Sequence, residues 1–218
     1  MPVQVEKVTR HTITQLVTAT GKIQPEVQVK ISPEVSGEIV ALPVKEGQGV
    51  KKGDLLMKIK PDVYVAQREQ FSAALMQSKA SLTKNELEYK RVENLSRKGM
   101  VSEAEYEQAH ALYEGSKAEY ARAKASLDQA EESLRKTTIF SPMDGTVSQL
   151  NSELGERVLG TNQLQGTDVM TIADLSVITA EVKVDETEIV DVLIGQEATI
   201  KVDALGEKTL KGHVSEVG

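Results

Sequence analysis

The sequence predicts an α+β fold in which a long antiparallel helical hairpin is inserted between the two halves of a small β-domain. Residues 31–59 and 140–172 carry one Gly/Val motif twice at the same spacing. The segment between these halves has apolar positions at alternating 3,4 spacing on either side of one short break, which is typical of two coiled-coil arms. Because an internal repeat sets the architecture, we expect an elongated multidomain protein whose hairpin projects from the β-domain.

The repeat agrees in register between its halves, residues 27–60 and 137–173. The shared positions are Gly37, Gly47 and Val50 in the first half, and Gly145, Gly155 and Val158 in the second. We interpret these glycines, together with Gly53, as structural turns, because glycine adopts a positive φ at little cost. We expect the two halves to pair into one small sandwich.

Residues 61–136 are predicted to form the hairpin. Pro61 suits the first turn of a helix, and neither Gly nor Pro follows until Gly99, which suits a helix end. Ser102 and Glu105 form an S-x-x-E capping box for the second helix, which places the tip at residues 97–102.

Each predicted helix has a seam of alternating 3,4 spacing, and the second seam alternates large and small residues, which favours close approach of the arms. The first seam comprises Arg68, Phe71, Leu75, Ser78, Leu82, Asn85, Tyr89, Val92 and Ser96, and the second Tyr106, Ala109, Tyr113, Ser116, Tyr120, Ala123, Leu127, Ala130 and Leu134. Gly115 interrupts the second helix, either as a close-packing point or as a soft spot, at a cost of about 1 kcal/mol relative to Ala.

Residues 1–26 and 174–218 are predicted to form a second β-domain. Strand-like alternation covers most of both segments, and Asp185 and Glu188 resemble a cap for one short helix that runs through Val192. Both ends of the sequence fall within strand-like stretches, so we expect a fragment of a longer protein.

Composition excludes several function classes. The formal net charge of −7 argues against an electrostatic nucleic-acid binder, and the absence of cysteine excludes disulfides and thiolate metal sites. His11, His110 and His213 are far apart in the sequence, so we expect no metal site. No serine–histidine–acid order, paired-acid cleft or Gly-rich phosphate loop stands out, so we expect no catalytic residues and no cofactor.

The split Pro…Gly…Gly…Val motif resembles the two halves of a lipoyl or biotinyl domain. With a helical hairpin in place of the usual lysine-bearing turn, the chain resembles periplasmic adaptor proteins of the HlyD family, also called membrane fusion proteins. The resemblance implies a lipoyl-like domain at residues 27–60 and 137–173. It also implies a partial β-barrel domain at residues 1–26 and 174–218.

The predicted hairpin tip carries the sharpest match to this family. Family members have Arg, then three residues, Leu, six residues and Ser, and this sequence has Arg91, Leu95 and Ser102 at that spacing. The resemblance implies that these three residues contact a TolC-like outer-membrane channel. Each also has a purely structural alternative: Arg91 pairs with Glu88, Leu95 packs at a helix end, and Ser102 only caps.

The resemblance implies a non-catalytic adaptor that links an inner-membrane transporter, of RND or ABC type, to that channel. It also implies a hexameric ring in the periplasm and an inner-membrane anchor in the full-length protein. Three alternatives stay open: a type I secretion adaptor, a biotin or lipoate carrier, and a self-assembling coiled-coil scaffold. The carrier requires a modified lysine at a tight turn between the halves, where this sequence predicts helices.

Overall fold

The computed structural model describes residues 16–161, 166–202 and 209–218. The chain divides into two compact units, Val27–Val177 and a second unit formed by the segments on either side of it. The predicted strand residues before position 16, and His11 with them, lie outside the described residues.

The strands and helices follow the predicted order. They are β1 (Thr20–Ile31), β2 (Gly37–Ala41), β3 (Gly49–Val50), β4 (Leu55–Ile59), α1 (Asp62–Ser96), α2 (Glu103–Arg135), β5 (Thr138–Phe140), β6 (Gly145–Leu150), β7 (Arg157–Val158), β8 (Met170–Lys183), β9 (Glu197–Lys201) and β10 (Thr209–His213). A short 3₁₀ helix, Ile189–Asp191, precedes β9. The fold is α+β, as the sequence predicts.

The two halves of the repeat exchange their shortest strands. One four-stranded sheet has the order β1-β8-β6-β3 and the other β5-β4-β2-β7, so each contains strands from both halves. Gly37 lies opposite Val158 in the β2–β7 pair, and Gly145 lies opposite Val50 in the β3–β6 pair. The same repeat positions therefore meet twice, each time across the two halves.

The core of this β-domain is aliphatic and draws on both halves. Ile39, Met57, Val147 and Met170 are at most 1% exposed. The complete cluster comprises Ile31, Val35, Ile39, Val44, Val50, Leu56, Met57, Ile59, Val147, Val158, Val169, Met170 and Ile172. Because neither half supplies enough apolar surface alone, the β-domain is completed only when the chain returns from the hairpin.

The repeated glycines have two different causes. Gly47, Gly53 and Gly155 have φ values of 80°, 91° and 87°, where a side chain is strained. Gly37 and Gly145 do not have positive φ and begin β2 and β6, so their assignment to turns is wrong.

Close approach of neighbouring atoms explains Gly37 and Gly145. A Cβ at Gly37 would lie 2.5 Å from Ile59 Cγ2, and a Cβ at Gly145 would lie 2.7 Å from the carbonyl oxygen of Ala173. These two positions require glycine because there is no room for a side chain.

The helices α1 and α2 contain 35 and 33 residues and pack against each other as two arms of a hairpin. Every position of both predicted seams is buried or half-buried. The most deeply buried positions are Ser78, Val92, Ala109, Ser116 and Ala130. Small side chains at these points let the two backbones approach closely.

Gly115 is not a close-packing point. It lies within α2 and is exposed, and a Cβ added to it would meet nothing within 4 Å. The structure therefore favours the soft-spot interpretation.

The second unit contains the short helix that the sequence predicts through Val192, as the 3₁₀ helix Ile189–Asp191. Its N-cap residue, Glu188, makes no side-chain cap hydrogen bond, so the predicted cap is wrong. The Asp185 carboxylate accepts hydrogen bonds from the backbone N–H of Thr187 at 3.0 Å and from its hydroxyl at 2.8 Å, just before the 3₁₀ helix. These bonds hold the pKa of Asp185 below its usual value. β9 and β10 pair with each other as a two-stranded sheet. Within residues 16–161, 166–202 and 209–218 the strands do not close into the barrel that the resemblance implies.

Candidate functional site: the hairpin tip

The hairpin tip is a tight chain reversal between α1 and α2. α1 ends at Ser96, and the backbone N–H groups of Lys98 and Met100 both donate to the carbonyl oxygen of Leu95 at 3.0 Å. Gly99 has φ 68°, a left-handed conformation that commonly ends helices. Leu95 therefore anchors the backbone of the turn in addition to any role of its side chain.

Ser102 begins the second arm as its N-cap residue. Its backbone is extended, and its hydroxyl oxygen accepts a hydrogen bond from the N–H of Glu105 at 3.3 Å. The side chain thereby satisfies one of the free N–H groups of the first helical turn, so the predicted cap is confirmed. Ser102 is nevertheless exposed, which leaves it accessible to a partner.

Arg91 is exposed and makes a two-pronged ion pair with Glu88 one turn earlier. Its Nε and Nη2 atoms donate to the Glu88 carboxylate at 3.1 and 2.5 Å. The hydrogen bond from Arg91 lowers the pKa of Glu88 and raises that of the guanidinium, so both groups remain charged. An exposed pair of this kind contributes little to stability, so a partner carboxylate can compete for the guanidinium.

Arg91 and Leu95 lie four residues apart and so share one face of α1 near its end. Leu95 is half-buried. Met100 extends from the turn with 67% of its surface exposed, which makes it the most accessible large apolar residue of the tip. Sequence reasoning missed Met100, because exposure of a single residue in a turn leaves no periodic signal.

The α1 side of the tip is basic in a chain of net negative charge. Lys90 pairs with Glu86, and Arg97 pairs with Glu93 at 2.8 Å. Lys98 forms no ion pair with any residue that the structure describes. The tip thus offers a guanidinium, a free ammonium group and an apolar side chain to solvent.

A cluster of rings lies next to the tip, and sequence reasoning also missed it. Tyr89 of α1 contacts Tyr106, His110 and Tyr113 of α2, with ring centroids 5.8, 5.3 and 5.3 Å away. The Tyr89 and Tyr106 hydroxyl oxygens are 3.1 Å apart. That hydrogen bond, followed by partial burial, raises the pKa of Tyr89 to about 12. We call these four residues the tyrosine cluster. The seam spacing predicts that the tyrosines lie on the facing sides of the two helices, but it does not predict that their rings contact one another.

The base of the hairpin is held by a loop of the β-domain at residues 32–36. The Tyr64 hydroxyl at the start of α1 donates to the carbonyl oxygen of Ser36 at 2.7 Å. Lys136, just past α2, forms an ion pair with Glu34. Both arms are therefore attached to one loop, which sets the direction in which the hairpin leaves the β-domain.

The described part of the chain contains no candidate metal site beside this tip. Within it, no three His, Asp or Glu residues lie close enough to hold a metal ion. His110 belongs to the tyrosine cluster, and His213 ends β10. None of the described helices is long and apolar enough to span a membrane.

Comparisons with known proteins agree with this architecture. Residues 27–170 match the family model described as RND MFP (membrane fusion protein), barrel-sandwich hybrid domain. The macrolide export protein MacA of Yersinia pestis is 30% identical over 98% of this chain and 61% of its own length. The multidrug resistance protein MdtA of Proteus mirabilis (strain HI4320) is 27% identical over 78% of this chain and 43% of its own.

A solved structure has a similar fold. The crystal structure of MacA from Actinobacillus actinomycetemcomitans has a TM-score of 0.72 and 28% identity, and the match covers 93% of this chain and 66% of that one. The chain spans less than two thirds of the length of both curated relatives above.

Proposed function

The chain belongs to the RND membrane fusion protein family, and on that premise we propose that it serves as a non-catalytic periplasmic adaptor of a tripartite efflux pump. The observation that carries the proposal is a helical hairpin inserted in a split β-domain, with an exposed tip that bears Arg91, Leu95 and Ser102. In this proposal the tip docks on a TolC-like outer-membrane channel, and the β-modules face an inner-membrane transporter.

Each tip residue has a role that its geometry allows. Arg91 exchanges its exposed partner Glu88 for an acceptor on the channel. Leu95 contributes the apolar edge of the turn, and Ser102 offers a hydroxyl whose cap bond is already made. Exposed polar groups around a small apolar centre are typical of contacts that form and separate reversibly.

The proposed partners follow from the family and from the names of its members. The transporter is of RND or ABC type, and the adaptor assembles as a ring, proposed to be hexameric, around the exit path. In the full-length protein we propose an anchor in the inner membrane. The relatives are named for macrolide export and multidrug resistance, so macrolides and other drugs are the substrates to test first.

Site-directed cross-linking tests the docking proposal. This chain contains no cysteine, so Met100→Cys in the full-length protein places a thiol at the tip, with Leu112→Cys as a control partway along α2. We expect a disulfide between the Met100→Cys thiol and cysteines placed on the periplasmic rim of the channel, and none from Leu112→Cys. Equal yields from both positions, or none from the tip of a folded protein, would contradict docking through the tip.

A charge reversal tests Arg91 itself. Arg91→Asp is expected to abolish efflux, measured as loss of drug resistance, while thermal stability is retained. Arg122→Asp is the matched control, because Arg122 makes the same two-pronged pair with Glu119 at 3.1 and 2.6 Å but lies in the middle of α2. Resistance at the wild-type level in Arg91→Asp would refute the role of Arg91.

A further inference from the structure

Aromatic side chains are scarce in this chain, and their distribution is uneven. Aromatic residues make up 3% of the sequence, with five tyrosines in all. Three of them, Tyr89, Tyr106 and Tyr113, gather with His110 at one level of the hairpin. Tyr120 also occupies the seam but makes no ring contact within the part of the chain that the structure describes.

Tyr89 is the hub of the tyrosine cluster. It stacks on Tyr113 with an interplanar angle of 6° and tilts against Tyr106 and His110. Tyr106 and His110 are themselves nearly parallel, 6.3 Å apart. One residue of α1 thus contacts three rings spread over two turns of α2, so a slide of either arm would break several contacts together.

The tyrosine cluster is coupled directly to the proposed docking residues. Tyr89 precedes Arg91 by two residues on α1. On α2, the N–H of Tyr106 donates to the carbonyl oxygen of Ser102 at 3.2 Å. The hydroxyl contact between Tyr89 and Tyr106 therefore joins the turn of α1 that carries Arg91 to the turn of α2 that begins at Ser102.

We propose that the tyrosine cluster is a register clamp, in which Tyr89 is a positioning residue that holds Arg91 and Ser102 in the mutual arrangement the channel recognises. The part of this inference that concerns docking rests on the proposed function. The part that concerns the register of the arms does not.

The remainder of the seam is poorly suited to set the register. Its most buried members, including Ser78, Ala109, Ser116 and Ala130, are small and make few directional contacts between the arms. A heptad seam of small and aliphatic residues accepts neighbouring registers, whereas a directional polar or aromatic contact selects one. Asn85 supplies a weaker contact of this kind, from its Nδ2 to the carbonyl oxygen of Leu112 at 3.5 Å.

The Tyr89 hydroxyl stays protonated at neutral pH, because its pKa is raised to about 12. The clamp therefore works through side-chain geometry and is not a pH switch.

Distances between spin labels test the register part in the chain itself. One pair, Asn94→Cys with Ala104→Cys, reports on the tip, and a second, Ala80→Cys with Ala118→Cys, reports on the arms nearer the β-domain; all four positions are exposed. We expect Tyr89→Leu to broaden the distance distribution of the first pair and to leave the second unchanged. Tyr89→Phe, which keeps the stacking but loses the hydroxyl contact, is expected to give a width between those of wild type and Tyr89→Leu.

Tyr120→Leu is the matched control, because it removes a seam tyrosine that lacks ring contacts in the described residues. A tip distribution that is unchanged in Tyr89→Leu would overturn the clamp. Equal broadening of the tip distribution by Tyr120→Leu would also overturn it, since any seam substitution would then act alike.

The docking part is tested by combining Tyr89→Leu with the Met100→Cys cross-link in the full-length protein. We expect a several-fold lower yield from protein that is still fully folded at the assay temperature, with partial recovery in Tyr89→Phe. If Arg91→Asp abolishes the cross-link and Tyr89→Leu does not, docking stands and the positioning role of Tyr89 is wrong. If neither variant reduces the yield, the proposed roles of Arg91 and Tyr89 in docking both fail, while the spin-label distances still decide the register.

Discussion

The β-domain and the hairpin belong to one compact unit but are stabilised differently. The β-domain fully buries large aliphatic side chains such as Ile39, Leu56 and Met170. The deepest positions of the hairpin are mostly serine and alanine, and Val92 is the largest of them. Since buried apolar area supplies most of the stability of a fold, the β-domain concentrates it in a few residues, whereas the hairpin spreads it thinly along two seams.

This difference explains how the molecule can present an exposed arm. Ion pairs at i,i+3 and i,i+4 cover the hairpin surface, for example Lys90 with Glu86 and Arg122 with Glu119. Each contributes little, and none depends on contact between the arms. For stability alone, the hairpin surface away from the tip is therefore free to vary, provided that the seam is kept, whereas the β-domain interior is not.

The largest loss in the free energy of unfolding is expected in the β-domain. Gly145→Ala places a Cβ 2.7 Å from the Ala173 carbonyl oxygen and 2.9 Å from Ile172 Cγ2, so β6 must separate from β8. Overpacking of this kind costs about 1–3 kcal/mol and more where backbone must move. Urea unfolding measures it.

Gly49→Ala is the matched control for Gly145→Ala. Gly49 lies opposite Thr146 in the neighbouring β3–β6 pair, and a Cβ there meets nothing within 4 Å. A similar loss of stability in both variants would show that close approach to Ala173 does not explain the glycine at 145.

The next effect is expected in the hairpin seam. Leu127 is a half-buried seam position, so Leu127→Asp brings a charge between the arms and is expected to cost about 2 kcal/mol and to reduce helicity. Leu112→Asp changes the same residue type at a site that is 56% exposed, where the cost should stay within about 0.5 kcal/mol. Circular dichroism during thermal unfolding compares the two. Equal losses would contradict the assigned seam.

Periodic features could be predicted from the sequence. The repeat predicted two paired halves, because the residues that follow Gly37 have the same spacing as those that follow Gly145. The heptad spacing predicted both seams, and Ser102 with Glu105 predicted where α2 begins. These signals are local in the chain, so they survive without knowledge of tertiary contacts.

Features that depend on distant neighbours were missed. The turn interpretation failed at Gly37 and Gly145 because the atoms that exclude a side chain there, in Ile59 and Ala173, belong to other strands. The tyrosine cluster was missed for a related reason. Spacing places Tyr89 and Tyr106 on facing seams, but only the packed arms show that their hydroxyl groups meet.

A smaller change in the free energy of unfolding, of opposite sign, is expected at Gly115. Because this glycine lies in a helix with open space around it, Gly115→Ala should stabilise the chain by about 1 kcal/mol. Gly155→Ala should do the reverse, although its Cβ also meets nothing within 4 Å, because φ at Gly155 is 87°. If the denaturant midpoints of both variants move in the same direction, then the positive φ of Gly155 is not what separates it from Gly115.

The smallest effect is expected in the hairpin, at the hydrogen bond between the Tyr89 and Tyr106 hydroxyl groups of the tyrosine cluster. Tyr89 has a pKa of about 12 against an ordinary 10.0, chiefly because of its hydrogen bond to Tyr106. Because the pKa is raised in the folded chain, this bond contributes its full stability below pH 10, and that contribution is lost as the pH rises towards 12.

Tyr106→Phe should lower the pKa of Tyr89, measured by ultraviolet absorbance during alkaline titration. Tyr113→Phe, which keeps the hydroxyl pair, should leave that pKa unchanged. An identical late-titrating tyrosine in wild type and Tyr106→Phe would show that the hydroxyl groups do not meet, and the clamp would then rest on stacking alone.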